Sequence, residues 1–427
     1  MKVFFDTVGC RLNQAEIESM AGQFRAAGYE IIDSPEGADL VVVNTCAVTA
    51  EAASDSRQKA RQAYQAGAAH IILTGCWATL EPIKASNLPG VDEVVSNLNK
   101  MDIPLRVIDP GQERFYIEPL ARVSLPGAHR RTRAFIKAQD GCDNHCTFCV
   151  TRLARGSSRS IPKEEVTKAV LLAEEGGVKE VVLSGVHLGS WGREKADGET
   201  ITDLIETLIK KTSVERIRLS SIEPWDLESR FFDLWQNPRM CRHFHLPLQS
   251  GSVGVLKRMA RHTTPENFSN LIDTIRNCIP DAAITTDIIV GFPGETDAEF
   301  EESLDFVKRM QFNDGHIFRF SRREGTAAAR MADQVNGSVA RERAGRMREV
   351  VTSDASAARH KMIGKEVKVL WEGSGIQSGD EWILFGLSDN NYRVRARNGQ
   401  NRWNIIDRVH IEGIQEDDLL GVILPSD

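Results

Sequence analysis

Three thiols set the chemistry of this chain. Cys142, Cys146 and Cys149 lie in the stretch Gly141-Cys142-Asp143-Asn144-His145-Cys146-Thr147-Phe148-Cys149, at the spacing C-x3-C-x2-C. Only 8 of the 427 residues are cysteine, so three in one short loop argue for a shared ligand. Disulfide pairing within the loop is a poor reading, because three is odd and thiols this close in sequence are badly placed to bridge. A structural zinc ion needs a fourth Cys or His, and His145 is the only local candidate. A ligand set one short of four is what an iron-sulfur cluster with one open iron requires.

A second set of thiols emerges from a repeated pattern near the start of the chain. The run Val3-Phe4-Phe5-Asp6-Thr7-Val8 predicts a buried strand that ends in Gly9-Cys10. Asp39-Leu40-Val41-Val42-Val43-Asn44 predicts another, running into Thr45-Cys46, and His70-Ile71-Ile72-Leu73-Thr74 a third, running into Gly75-Cys76. Helical patterns over 14–27 and 50–66 separate them, the first carrying Ile17, Met20, Ala21, Phe24 and Ala27 on one face and stopping at Gly28. Apolar strands alternating with helices indicate a parallel sheet, whose ligands gather beyond the carboxyl ends of the strands. Cys10, Cys46 and Cys76 then converge on one edge, as a second three-thiolate site and a second cluster. Free cysteines are also common buried residues, and the alternative is that all three are packing residues.

The elements that position these thiols follow from length and composition. A chain of 427 residues suggests two or three domains. The opening Met1-Lys2-Val3-Phe4-Phe5-Asp6 is too short an apolar run for a signal peptide, and no stretch approaches a membrane helix. The expectation is a soluble cytoplasmic protein with no membrane partner, where thiols stay reduced. A net charge of -7 excludes a uniformly basic nucleic-acid binder, so an RNA site has to be local.

Between Met101 and Arg133 periodicity fades and Pro104, Pro110, Gly111, Pro119, Pro126 and Gly127 accumulate, as in a linker. It ends in Arg130-Arg131-Thr132-Arg133, read as a solvated charged stretch. From Ala134-Phe135-Ile136-Lys137-Ala138-Gln139, which carries the three-cysteine loop at its end, six strand-and-helix units follow in series. Helices are expected over 162–176, 202–212, 252–260, 266–278 and 297–310. Such a series points to a parallel barrel, complete or partial, with its chemistry at the carboxyl ends of the strands. The loops at those ends are short and rich in Gly and Ser: Ser184-Gly185-Val186-His187-Leu188-Gly189, Ser220-Ser221-Ile222-Glu223-Pro224, Gln249-Ser250-Gly251-Ser252 and Gly291-Phe292-Pro293-Gly294-Glu295-Thr296. Cys241, just before a strand, and Cys278, read on an apolar helical face, are expected to be structural.

From Ile363 onward the pattern becomes short alternating strands over 366–371, 381–386, 392–397 and 409–411, a small antiparallel barrel. Period two places Arg393, Arg395 and Arg397 on one strand face, with Tyr392 and Trp403 nearby. This is a candidate RNA contact; the alternative is a solvated outer face.

The cysteine loop, with Phe148 before its last cysteine and on the first strand of a barrel, resembles the radical S-adenosylmethionine enzymes. The resemblance implies that Cys142, Cys146 and Cys149 hold a 4Fe-4S cluster whose open iron binds S-adenosylmethionine. Candidate cofactor contacts on the same rim are Phe148, Gly185, His187, Ser221, Glu223, Gln249 and Glu295. A hydrogen-bonding role is also open for His245. With Thr7-Val8-Gly9-Cys10-Arg11-Leu12-Asn13-Gln14, Val43-Asn44-Thr45-Cys46, Thr74-Gly75-Cys76, Gln139-Asp140-Gly141-Cys142-Asp143-Asn144 and His245-Leu246-Pro247-Leu248-Gln249-Ser250-Gly251-Ser252, the chain is similar to the methylthiotransferases along almost its whole length. That resemblance implies an auxiliary 4Fe-4S cluster on Cys10, Cys46 and Cys76, and so two clusters in all.

Within the family, Leu183–Ser190, Arg216–Pro224 and the Asp143-Asn144 pair look most like the branch that acts on N(6)-threonylcarbamoyladenosine in tRNA. The implied reaction adds a methylthio group to carbon 2 of that base, beside the anticodon. The implied partners are a tRNA anticodon stem-loop and a low-potential electron donor. The alternatives are isopentenyladenosine or a ribosomal-protein aspartate as target, or an iron-sulfur or zinc RNA-binding protein without radical chemistry. One departure stands out. Where the family commonly has an apolar pair, Pro and an aromatic before Ala-Arg-Gly, this chain has Val150-Thr151-Arg152-Leu153 before Ala154-Arg155-Gly156. The last segment resembles the RNA-binding TRAM module. The expected architecture is α/β: an N-terminal parallel α/β domain over 1–125, a partial (βα)6 TIM-like radical barrel over 126–360, and a TRAM-like β-barrel over 361–427.

Overall fold

The computed structural model describes residues 1–108, 132–196 and 198–425. Most of the expected linker, with Arg130 and Arg131, lies outside the described residues. Its beginning is helical instead, over Lys100–Asp102 and Ile103–Val107, and Ile103 and Ile108 join a core with Ile17 and Phe24. The chain forms two compact units that alternate in sequence. The first takes Met1–Asn144, Cys149–Val178 and Leu183–Val186; the second takes His145–Phe148, Lys179–Val182 and His187–Asp427.

The first unit is built on five parallel strands: β1 (Lys2–Thr7), β2 (Glu30–Ile31), β3 (Leu40–Thr45), β4 (His70–Gly75) and β5 (Glu93–Val94), in the order β2-β1-β3-β4-β5. Every residue of the central β3 is buried, as a strand covered on both faces must be. The helix Arg11–Ala26 covers one face by burying Ile17, Met20, Ala21 and Phe24, and Ala50–Gln65 covers the other with Ala53, Ala60 and Ala63. The unit also holds β6 (Arg133–Lys137) and the antiparallel pair β7 (Gln139–Asp140) and β8 (Arg159–Ser160). The last residues of β9 (Glu180–Ser184) belong here as well, Ser184 O accepting from Ala138 N at 2.9 Å.

The second unit holds the start of β9, then β10 (Arg216–Leu219), β11 (His243–His245), β12 (Ala283–Val290) and β13 (Asp314–Arg319). β10 and β11 meet in parallel at Ile217 and Met240 and again at Ser221 and His245, and β11, β12 and β13 pair in parallel. With β6, these six strands alternate with helices along the chain, as expected for a partial (βα)6 barrel. The helices Ile201–Lys211, Pro265–Cys278 and Asp297–Met310 fall within a residue or so of their expected spans. The 24-residue helix Gly337–His360 was not anticipated. It is Arg-rich, and apart from Arg343 its buried residues are widely spaced and small or apolar, such as Ala344, Met347, Val351 and Ala355.

The last segment closes into a barrel of β14 (Glu366–Ser378), β15 (Glu381–Ser388), β16 (Arg393–Asn398), β17 (Ile406–Gln415) and β18 (Asp418–Ile423), in the order β14-β15-β16-β18-β17. The fifth strand, β18, was missed from sequence, and it pairs in parallel with β16 where the other neighbours are antiparallel. Among the described residues no helix is long and apolar enough to cross a membrane.

A buried charge cluster joins this barrel to β9 and β10. Glu180 and Arg218 have no exposed side-chain surface, and the guanidinium grips both carboxylate oxygens, at 2.7 and 3.2 Å. Arg216 reaches the same carboxylate at 3.4 Å. The two arginines then donate to backbone carbonyls of the barrel: Arg216 to Leu387 and Lys368, and Arg218 to Ser388 at 3.0 Å. Deleting one member of a buried charge pair leaves the other uncompensated, at a cost of roughly 3–5 kcal/mol. Arg218→Met is therefore expected to destabilise the chain by about that amount and to speed hydrogen exchange in β14–β16 first. A loss below about 1 kcal/mol in chemical denaturation, with unchanged exchange there, would contradict this role.

Candidate functional site

The register of the first sheet decides where its cysteines go. Asp6 and Thr7 on β1 face Val43 and Asn44 on β3, and Asn44 and Thr45 face Thr74 and Gly75 on β4. The three strands thus end level, and Cys10, Cys46 and Cys76 follow at the same edge. Each is fixed by a local device. Cys10 stands just before the first turn of the helix Arg11–Ala26, and Cys76 opens the helix Cys76–Leu80. The backbone N–H of Cys46 donates to Ser56 Oγ at 2.9 Å. Gly75, at a φ of 94°, leaves no room for a Cβ against the Thr45 backbone, and a Cβ on Gly9, at a φ of 99°, would strike the Cys46 side chain.

The donor set fits a metal cluster. Burial pushes the Cys46 thiol up to about 11, with the neighbouring Cys10 and Cys76 adding to the rise; a metal displaces such a proton on binding. Three buried polar atoms at the same strand ends, Thr7 Oγ1, Asn44 Oδ1 and Thr74 Oγ1, have no hydrogen-bond partner among the described residues. Asn97 Nδ2 lies 3.5 Å from Cys76 Sγ. Among the described residues no group of three His, Cys, Asp or Glu side chains is already drawn in to metal-ligating distance.

The C-x3-C-x2-C loop divides between the two units. In the first, Cys142 N donates to Gly156 O at 3.1 Å, and the Thr151 backbone N–H lies 3.4 Å from Cys149 Sγ. Thr151 belongs to the departure from the family pattern, and the structure gives it this contact. In the second unit, Thr147 is tied by its backbone to Met259 and Ala328 and by its hydroxyl to Arg258 O. Phe148 meets Phe292 edge-on, with centroids 6.3 Å apart, beside the apolar group of Val255, Met259 and Ala328. Arg261 Nη1 stands 3.7 Å from Cys146 Sγ while the same guanidinium pairs with Glu223 at 2.5 and 3.0 Å and lies over the Trp225 ring. A thiolate at Cys146 therefore faces a buried, always-charged partner. Neither Arg261 nor Trp225 was anticipated. They sit in irregular sequence, where no periodicity marks them.

The other expected cofactor contacts are placed as follows. The Glu223 carboxylate is engaged by Arg261. His187 is buried and bonds Asp226 at 2.6 Å, and Asp226 also holds Arg193. Gln249 takes a left-handed φ of 71°, its backbone bonded to Asp287 and Ile289 on β12. Glu295 accepts from Gly291 N and from Arg343, both at 2.7 Å, and so braces the Gly291–Gly294 turn. Ser221 bridges to His245, whose ring bonds Thr285 and pairs with Asp287. Gly185 lies in the first unit, one residue beyond β9.

Cys241 is buried with its thiol pushed up to about 12 by burial, beside Glu180, which suits a packing role. Cys278 is corrected: it ends its helix exposed to solvent. Arg393, Arg395 and Arg397 do share one outward face of β16, each paired with an acid: Arg393 and Arg395 with Asp418, and Arg397 with Glu381. Tyr392 is not beside them on the surface. It is buried, and its hydroxyl accepts from Asn313.

Comparison with known proteins defines the class first. Residues 136–307 match the model of the radical SAM superfamily, and residues 2–96 match that of the uncharacterized protein family UPF0004. Among solved structures, the radical S-adenosylmethionine methyltransferase TsrM from Kitasatospora setae has a similar fold, with a TM-score of 0.54 at 13% identity, covering 77% of each chain. The fold and the cysteine loop thus define a radical S-adenosylmethionine enzyme, which uses S-adenosylmethionine and a 4Fe-4S cluster. The threonylcarbamoyladenosine tRNA methylthiotransferase MtaB of Thermotoga maritima is 40% identical over 404 residues, 90% of each chain. That of Bacillus subtilis is 36% identical over 92% of this chain and 89% of its own. The tRNA-2-methylthio-N(6)-dimethylallyladenosine synthase of Caldicellulosiruptor saccharolyticus is 33% identical over 86% of this chain and 81% of its own. The chain belongs to the radical S-adenosylmethionine methylthiotransferases, enzymes that transfer a sulfur-containing group.

The expectation of a cluster on each trio makes metal content additive. Anaerobically reconstituted chain is expected to hold about eight irons, and replacing either trio with alanine should remove about four. Loss of only one iron with the Cys10, Cys46 and Cys76 trio, or none, would rule out a cluster at the sheet edge.

Proposed function

We propose that this enzyme is a tRNA methylthiotransferase that replaces the hydrogen on carbon 2 of N(6)-threonylcarbamoyladenosine, beside the anticodon, with a methylthio group. The observation that carries the two-site part of this reading is the level ending of β1, β3 and β4. It gathers Cys10, Cys46 and Cys76 at one edge, apart in sequence from the C-x3-C-x2-C loop. An enzyme that only generated a radical has no use for a second thiolate site, whereas one that inserts sulfur needs a place to hold it.

In this reading Cys142, Cys146 and Cys149 would hold a 4Fe-4S cluster, which would supply an electron to S-adenosylmethionine, the source of the hydrogen-abstracting radical and of the methyl group. The chain's own residues supply position and exclusion. Phe148 and Phe292 close an apolar patch against the loop. Arg261 holds positive charge against Cys146 and is itself held by Glu223 and Trp225, so it stays in place when the thiolate forms. Gln249, His187 and Glu295 shape the rim through backbone and carboxylate bonds, so substitutions there should act through geometry. The electron comes from a low-potential donor, and the enzyme works in the cytoplasm. The second 4Fe-4S cluster sits on Cys10, Cys46 and Cys76.

The tRNA is met in part by Arg393, Arg395 and Arg397. Arg397 and Glu381 form an exposed pair worth little in water, which a phosphate can displace, whereas Asp418, the partner of Arg393 and Arg395, is buried and holds those two in place. The target base has to be splayed from its loop and stacked, as single-stranded RNA recognition generally requires.

The threonylcarbamoyl target is supported by the names of relatives at 34–40% identity. A second reading, dimethylallyladenosine, is supported by relatives of that name at 33% identity. The nucleoside profile of tRNA from cells lacking the chain separates them. The methylthio form of threonylcarbamoyladenosine should disappear while that of the dimethylallyl nucleoside persists. The reverse pattern would establish the second reading.

A further inference from the structure

Beside the sheet edge of the first unit lies a cluster of charges that the reaction as described does not use. Glu16, with no exposed surface, is bonded by Lys100, by Lys137 at 2.9 Å, and by Arg155 at 2.9 and 3.3 Å. Asp140 is bonded by Lys137 at 2.6 Å and Arg155 at 2.9 Å. Two acids thus meet three bases within the protein, leaving one positive charge over; the exposed Arg159, 3.5 Å from Asp140, adds to it. Burial alone would drive Glu16 toward its neutral form, yet Arg155, Lys100 and Lys137 hold its carboxyl well below the usual range. Asp140 is held by two of the same bases, Lys137 and Arg155.

That surplus is aimed at the thiols. Arg155 Nη2 donates to Asn13 Oδ1 at 2.6 Å, and Asn13 Nδ2 donates to Val8 O and Thr45 O, in the turns that carry Cys10 and Cys46. Asn97 touches Cys76 Sγ, donates to Ala154 O at 3.0 Å, and accepts from Lys100 at 2.7 Å. Through Asn13 and Asn97 the cluster is thus tied by hydrogen bonds to the turns that carry all three cysteines. With three neutral thiols the cluster of two acids and three bases keeps one positive charge uncompensated, a costly state in a buried site. Three thiolates around a 4Fe-4S core supply the missing anion.

We propose that Arg155 is a positioning residue for the auxiliary cluster, setting the charge at its site so that the more negative, reduced state and an anionic sulfur ligand are stabilised. This rests on the reading of Cys10, Cys46 and Cys76 as cluster ligands. A fixed cation nearby favours the reduced state of a one-electron couple and raises its potential. Removing it lowers the potential, and removing a neighbouring anion raises it.

The test uses full-length chain with Cys142, Cys146 and Cys149 replaced by alanine, so that only the auxiliary cluster is seen, titrated redox-potentiometrically under electron paramagnetic resonance. Arg155→Met should lower the midpoint by a tenfold change in the oxidised-to-reduced ratio, about 59 mV for one electron. Arg155→Lys, which keeps the charge, should stay near the parent. Asp140→Asn should move it the other way, and stands alone as the test if Arg155→Met fails to assemble a cluster. Midpoints unmoved by both Arg155→Met and Asp140→Asn, or moved in the same direction, would overturn the role given to Arg155. A background chain that holds no cluster would overturn the auxiliary site itself, and this inference with it.

Discussion

Glu16 imposes the constraint on which the first unit depends. A carboxylate without exposed surface cannot stay ionised unless cations are brought to it, and three are, from widely separated parts of the chain: Lys100, Lys137 and Arg155. Satisfying that one group draws the short helices after β5, the strand β6 and the segment following the cysteine loop onto the helix Arg11–Ala26. Lys100 has no exposed side-chain surface. It is pushed down to about 8 despite the pull of Glu16, so it remains largely charged at neutral pH. Buried networks of this kind add little net stability compared with apolar packing. Their value here is placement: the same side chains that compensate Glu16 stand behind the thiols at the sheet edge.

Much of this was legible from sequence because strands and cysteines repeat in phase. Three apolar runs each followed by a cysteine predict a common edge, and the parallel register delivers it without further information. The helices over 265–278 and 297–310 were equally plain, since each begins at a threonine cap and buries one periodic face. The charge cluster was not legible. Glu16 sits among Gln14, Ala15 and Ile17 in a stretch that reads as an ordinary amphipathic helix, and nothing local distinguishes a buried glutamate from a solvated one. Arg155 was visible only as part of Ala154-Arg155-Gly156, with no role attached. Arg261 and Trp225 were hidden for the same reason: their contacts are made across the second unit, and no spacing encodes them. The helix Gly337–His360 was lost because its buried residues are mostly small, and β18 because its run is short and ends the chain's pattern.

The segment Arg216-Ile217-Arg218 also has a structural task. It lies in a stretch that resembles one branch of the family, and its two arginines point to Glu180 and to the carbonyls of Lys368, Leu387 and Ser388. They fix the small barrel to the strands that carry the rim. The barrel's arginine row on β16 then has a set place within the second unit. Target choice is better sought on the rim itself, in the bonded sets around Asp226, Asp287 and Glu295.

The central claim is a division of labour between two sets of thiolates, one for the radical and one for sulfur. It is tested most directly by Cys76→Ala in otherwise intact enzyme, measuring 5′-deoxyadenosine and methylthiolated nucleoside in the same reaction. The account requires continued formation of 5′-deoxyadenosine with methylthiolation abolished. Methylthiolation retained by that variant would contradict it.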